Sequence, residues 1–227
     1  WLGGLGIIML FLAILPSLGI EGRDLYVAEV TGPTHNKTSF TFSASARRMW
    51  FLYVGLTALQ TILLSFGGMG IFDSVCHAFT SMATGGFSTK QASVGYWDSA
   101  YIQYVMVAFM FIAGCNFGLL YMAVKGNVLK LLKDNEFQLY IGITVVSSLV
   151  IGTGLYLSNW AGLEKSFRDA TFQVVTLMTT TGYATADYLL WPPLLGFILL
   201  LLMCMGASAG STSGGIKVVR VLLLFKN

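Results

Sequence analysis

Apolar stretches of membrane-crossing length alternate along this chain with short polar breaks. A spanning helix needs about 20 predominantly apolar residues. Residues 2–18 supply nearly that and read as the tail of a span. Residues 21–48 are polar, with Gly32-Pro33, His35-Asn36-Lys37 and Arg47-Arg48, and read as a solvent-side connection. Residues 49–66 form a full span, which Gly67-Gly68-Met69-Gly70 then breaks. Residues 73–82 are apolar on one side but too short to cross, since ten residues rise about 15 Å, roughly half the hydrocarbon thickness. They are expected to form a buried half-helix with Asp73 as its N-cap. A further span is expected over 99–124, a charged connection over 125–136 and another span over 137–157. Asp169 is expected to cap a second half-helix running to Met178, and Trp191-Pro192-Pro193 opens the last hydrophobic run.

This order repeats because the sequence repeats. Ala83-Thr84-Gly85-Gly86-Phe87-Ser88-Thr89 and Thr179-Thr180-Thr181-Gly182-Tyr183-Ala184-Thr185 lie 96 positions apart. In the same register Asp73 falls on Asp169, Thr80 on Thr176, Met82 on Met178, Ala113-Gly114 on Ala209-Gly210 and Gly118 on Gly214. A long internal repeat in an apolar chain predicts a membrane protein built from repeated modules. The predicted fold class is an all-α membrane protein of repeated membrane helix–half-helix–loop–membrane helix units around a pore.

Composition narrows the class. The chain is 56% hydrophobic and 10% charged, whereas a soluble domain carries about 25% charge. A net charge of +3, scattered along the chain, predicts no nucleic-acid partner. Cys76, Cys115 and Cys204 match no disulfide or zinc spacing and read as small apolar fillers. The chain opens at Trp1 within an apolar run and is read as an internal segment of a longer polypeptide. Arg23, Lys37, Arg47, Arg48, Lys125, Lys130 and Lys133 lie in the two long connections on one side, against Lys90, Lys165 and Arg168 on the other. The positive-inside rule therefore puts 19–47 and 125–136 in the cytoplasm and brings the half-helices in from outside. Tyr96, Trp97, Trp160 and Trp191 then sit where interfacial aromatics belong.

The Gly/Thr runs carry the chemistry. Non-helical backbone at membrane depth is tolerated only when buried in protein or lining a watery path. Gly86 and Gly182 permit torsions that turn carbonyl oxygens toward one point. The C-terminal ends of both half-helices, each worth about half a negative charge, would face the same place. Both features favour a cation, and carbonyl oxygens can replace its hydration shell. With no carboxylate in either run, a weakly hydrated monovalent ion is favoured over calcium or magnesium. Residues 206–215 are too polar and glycine-rich to remain helical within a span and are expected to form a mobile loop beneath the filter. They lack the Gly-Lys-Ser/Thr of a phosphate loop. Gly114-Cys115-Asn116-Phe117-Gly118 reads as helix packing through small residues. Lys217 and Arg220 are either functional charges near mid-span or snorkelling side chains, and both readings stay open. His77 reads as a packed polar contact. An enzyme is not expected, because no Asp pair, zinc-type His motif or convincing Ser-His arrangement is visible.

Trp1-Leu2-Gly3-Gly4-Leu5-Gly6, the first Gly/Thr run, Asn116-Phe117-Gly118, Asp134-Asn135-Glu136-Phe137 and Gly210-Ser211-Thr212-Ser213-Gly214-Gly215-Ile216-Lys217 together resemble the Trk/Ktr/HKT superfamily of potassium transporters, in particular its bacterial TrkH/TrkG-type membrane subunits. The resemblance implies four membrane–pore loop–membrane repeats around one pore. By it, 1–18 closes the first repeat and 19–47 is a cytoplasmic linker. The second repeat is 48–124, with half-helix 73–82 and filter 83–89, and 125–136 is a second linker. The third repeat is 137–227, with half-helix 169–178, filter 179–185 and intramembrane gating loop 206–215, and the fourth lies outside the chain. Potassium would be held by backbone oxygens of Thr84, Gly85, Gly86, Phe87, Thr180, Thr181, Gly182 and Tyr183. Gating would fall to Gly206, Gly210, Ser211, Thr212, Ser213, Gly214, Gly215 and Lys217. The resemblance also implies a bacterial inner-membrane location among lipid, a homodimer, and a cytosolic nucleotide-binding regulatory subunit of the TrkA type. The expected function is gated potassium uptake. The alternative is sodium- or proton-coupled potassium symport on the same fold.

Overall fold

A computed structural model describes residues 1–4 and 39–226. The expected closing helix over 1–18 and most of the 19–47 linker, with Arg23, His35 and Lys37, therefore lie outside the described residues. Among the described residues the chain is helical, with a single isolated parallel bridge between Met205 and Ile216.

The first unit opens with α1 (Ser39–Phe66), which stops at the Gly67–Gly70 run, and α2 (Ile71–Met82) follows at once. The α2 helix is 12 residues long, about 18 Å at the usual rise, and cannot cross a bilayer. The chain then runs through 83–89 and a short 3-10 turn, Ser93–Tyr96, into α3 (Ala100–Ala113) and α4 (Phe117–Val124). After α5 (Val128–Leu132), the second unit repeats the order with α6 (Asn135–Leu157), α7 (Leu163–Met178), the run 179–185, α8 (Pro193–Cys204) and α9 (Val218–Lys226).

Ala46–Phe66 and Asn135–Leu157 are long and apolar enough to cross a membrane. Their burial is inverted relative to a soluble protein. In α1, Tyr53, Thr57, Gln60 and Leu64 are buried, while Phe51, Leu59, Ile62 and Phe66 are exposed. In α6, Thr144 and Ser148 face inward, and Val145, Val146, Leu149 and Val150 face outward. Apolar outward faces on spanning helices suit contact with lipid or with further helices.

Three expectations change. Asp73 does not cap α2; Gly70 holds that position with no side-chain cap, and Asp73 sits in the first turn. The α7 helix begins at Leu163, because the extended Gly162 already turns the chain, so Asp169 lies mid-helix, buried beside Trp160 Nε1 at 3.4 Å. The span expected over 99–124 is two helices bent by 107°. Asn116 causes the restart: its side chain accepts from Gly118 N and Leu119 N at 2.8 and 3.2 Å, capping α4. Gly114 is tight because a Cβ there would overlap the Tyr140 hydroxyl. The Gly114–Gly118 segment is thus a break as well as a packing surface.

The two units share a core. Leu64, Ile102, Met106 and Met110 of the first pack with Phe172, Val175 and Tyr183 of the second. The α6, α7 and α8 helices close a separate cluster around Ile151, Leu155, Val174, Leu195 and Leu199.

Candidate functional site

Both Gly/Thr runs leave the C-terminus of a short helix with the same backbone. Thr84 and Gly86 have φ of 49° and 66°; Thr180 and Gly182 have 57° and 86°. A β-branched residue in the left-handed region is a genuine outlier and costs energy that the surroundings must sustain. Two such outliers at equivalent positions are a built feature. The amides are used alike as well. Gly85 N and Gly86 N donate to Thr80 O at 2.7 and 3.4 Å, and Thr181 N and Gly182 N donate to Thr176 O at 2.9 and 3.2 Å. The N–H groups at the head of each run are thus spent on the helix end.

The runs lie side by side. A Cβ on Gly86 would overlap the Thr181 carbonyl, so glycine is required there for contact as well as torsion. Gly182, with its φ of 86°, has the same torsional need for glycine. Behind them Tyr183 is 1% exposed. Its hydroxyl meets Thr80 Oγ1 at 2.5 Å and donates toward the His77 carbonyl at 3.2 Å. Its ring stacks on His77 at 5.7 Å. His77 bridges Asp73 O (2.7 Å) and Ser88 Oγ (2.9 Å), which is the packed polar contact expected of it. Phe87, the repeat equivalent of Tyr183, is 77% exposed, and its carbonyl accepts from Thr80 Oγ1 at 2.8 Å. At the other end of α2, Thr89 donates to Asp73 Oδ1 at 2.6 Å and Lys90 approaches Oδ2 at 3.5 Å. The Thr89 hydrogen bond first, and then the Lys90 charge, hold this carboxyl below the usual carboxylate range.

The 206–215 segment meets both runs. Thr84 Oγ1 donates to Thr212 O at 2.8 Å, and Gly214 N donates to Thr180 Oγ1 at 2.7 Å. The two strained threonines are therefore the two that touch the segment. It also fills the break in the first unit: Ser208 N donates to Gly114 O (3.1 Å), Phe117 N to Gly210 O (3.1 Å) and Asn116 Nδ2 to Ala209 O (2.7 Å). Gly210 and Gly215 have φ of 72° and 71°, and a Cβ on Gly206 would overlap the Gly214 carbonyl. Ser211 Oγ pairs with Ser213 Oγ at 2.8 Å. Lys217 Nζ folds back onto the Ser213 carbonyl and lies 3.2 Å from Ser213 Oγ, while Arg220 is exposed. The two basic residues, left open by the sequence, thus differ in placement.

The residues singled out from sequence converge here, with Phe87 at the margin. Thr80, Asn116 and Glu136, whose Oε1 accepts from Ala209 N, join them as supports. Thr80 was legible through its register with Thr176; Asn116 and Glu136 stood in motifs that carry the resemblance, but no pattern pointed to the contacts they make far along the chain.

The whole chain, residues 1–227, matches the family described as TrkH, cation transport protein. The chain belongs to the TrkH family. It is 42% identical over 229 residues to the Trk system potassium uptake protein TrkH of Escherichia coli K12, covering 100% of this chain and 47% of that protein. It is 34% identical over 228 residues to TrkG of the same organism, again covering 100% of this chain and 47% of the relative. The chain thus spans about half the length of these curated relatives. The crystal structure of the potassium transporter TrkH from Vibrio parahaemolyticus superposes with a TM-score of 0.81 at 37% identity, over 99% of this chain and 46% of that one. The helical architecture is therefore that of the TrkH family.

Proposed function

We propose that this chain supplies two of the repeats that surround a potassium uptake pathway in a bacterial inner membrane. The observation that carries the reading is the identical backbone of the two adjacent runs: left-handed torsions at Thr84/Gly86 and Thr180/Gly182, with amides returned to Thr80 O and Thr176 O. In this reading the carbonyls of Thr84, Gly85, Gly86, Thr180, Thr181 and Gly182 replace potassium's hydration shell. The Phe87 carbonyl, held by Thr80, and the buried Tyr183 shape the outer part of the filter. The C-terminal dipoles of α2 and α7 add favourable potential for a cation. Ions move down the electrochemical gradient, and 100 mV supplies about 2.3 kcal/mol per charge.

The 206–215 segment is the gate, closed against the feet of both filters through Thr84 and Thr180. The linkers lie in the cytoplasm, where a nucleotide-binding subunit of the TrkA type acts on the gate, and the membrane subunit pairs as a homodimer. The names of the relatives, potassium uptake proteins of Trk systems, support the choice of ion. The test is potassium and sodium flux into liposomes carrying a full-length transporter with this sequence, with no gradient other than that of the tested ion. Potassium flux under these conditions is expected. Flux that appears only with an added sodium or proton gradient would favour the symport reading.

A further inference from the structure

The 206–215 segment is a loop closed at its neck. Gly206 N donates to Ile216 O at 2.7 Å and Val218 N to Ala207 O at 3.2 Å, beside the Met205–Ile216 bridge. A compact loop whose ends are joined moves as one body about that neck. Whatever grips the neck therefore sets where the tip lies.

The neck rests on the first turn of α6. Glu136 Oε1 accepts from Ala209 N at 2.5 Å, on the arm entering the loop. Phe137, beside it, packs with Ala207 and Val218, one from each arm. A half-buried carboxylate receiving a backbone amide is a directional tie. The turn that carries it is fixed to the segment before it. Asp134 caps α6 by accepting from Phe137 N at 2.9 Å, and Gln138 Nε2 donates to Leu132 O at 2.9 Å. A displacement of 125–134 therefore carries Glu136 with it.

We infer that Glu136 is the positioning residue that latches the 206–215 loop closed, and that displacement of the 125–134 segment reaches the loop through it. This rests on reading the loop as a gate.

The test uses a full-length transporter carrying this sequence in liposomes without the regulatory subunit. Glu136→Ala removes the acceptor and is expected to raise partner-free potassium flux roughly tenfold or more, the scale of a lost charge-assisted hydrogen bond. Glu136→Gln keeps the shape and one acceptor oxygen and is expected to give a smaller rise. A single reporter cysteine at Ser211, in a background free of other cysteines, should react faster with a cytoplasmic thiol reagent in the same order. The potassium-to-sodium flux ratio should stay unchanged, because the Glu136 carboxylate is hydrogen-bonded to Ala209 N and not to either Gly/Thr run. Unchanged or reduced partner-free flux in both variants would overturn the latch. So would a rise accompanied by loss of the ion ratio, which would place the effect in the filter. Failure of the filter reading is seen separately, as a Gly86→Ala variant with an unaltered ion ratio.

Discussion

At the residue scale, the two equivalent glycines share a left-handed torsion that an alanine would bear at about 1–2 kcal/mol. Gly86→Ala also drives its Cβ into the Thr181 carbonyl of the neighbouring run. Both variants should lower the potassium-to-sodium flux ratio, Gly86→Ala by about tenfold or more; an unchanged ratio in Gly86→Ala would count against the side-by-side placement. Tyr183→Phe strips the hydroxyl from Thr80 and the His77 carbonyl inside the protein. Leaving those partners buried costs about 1–3 kcal/mol. A lower melting temperature of the purified protein in detergent is the expected readout. The glycines were visible in the sequence as a repeat, but the close approach of Gly86 to the Thr181 carbonyl was not. Register says which residues are equivalent within a unit; it says nothing about which of them faces the next unit.

At the element scale, the short helices were legible because Gly67–Gly70 and the Gly/Thr runs leave too few residues to cross a bilayer. Their starts were less so. The repeat carried Asp73 onto Asp169, yet α2 begins after Gly70 and α7 after Gly162, so the same residue sits in a first turn in one unit and mid-helix in the other. The break at Gly114–Asn116 was hidden for a different reason. Small residues serve close packing and chain breaks alike, and the carbonyl that Asn116 Nδ2 reaches belongs to Ala209, 93 residues away. Asn116→Ala removes both the α4 cap and this tie. It should cost about 1 kcal/mol and raise partner-free flux several-fold in liposomes. Flux as low as in the parent protein would show that the tie to the broken helix does not restrain the loop. Shortening 206–215 should act in the same direction and more strongly, since it removes the contacts to Thr84 and Thr180 together.

At the scale of the whole molecule, hydropathy and the basic residues were enough to propose an orientation. Apolar outward faces on α1 and α6 agree with a lipid environment. Gln91 and Lys133 are both exposed and fall on opposite sides in the proposed topology. A cysteine at Gln91 should react with an impermeant reagent from outside and one at Lys133 should not; the reverse pattern would invert the topology. What sequence patterning could not supply was the meeting of the units. The loop of the second unit closes on a threonine of the first Gly/Thr run, on a threonine of its own, and on the first turn of α6. These contacts join residues far apart in the chain through hydroxyls, amides and one carboxylate, none of which leaves a periodic trace. The central claim is that two adjacent carbonyl-lined runs discriminate potassium. The most direct measurement is the potassium-to-sodium flux ratio of Gly86→Ala beside the parent protein, both full-length in liposomes. A ratio that collapses by more than tenfold while the protein remains inserted is the predicted result, and a ratio equal to that of the parent would contradict the account.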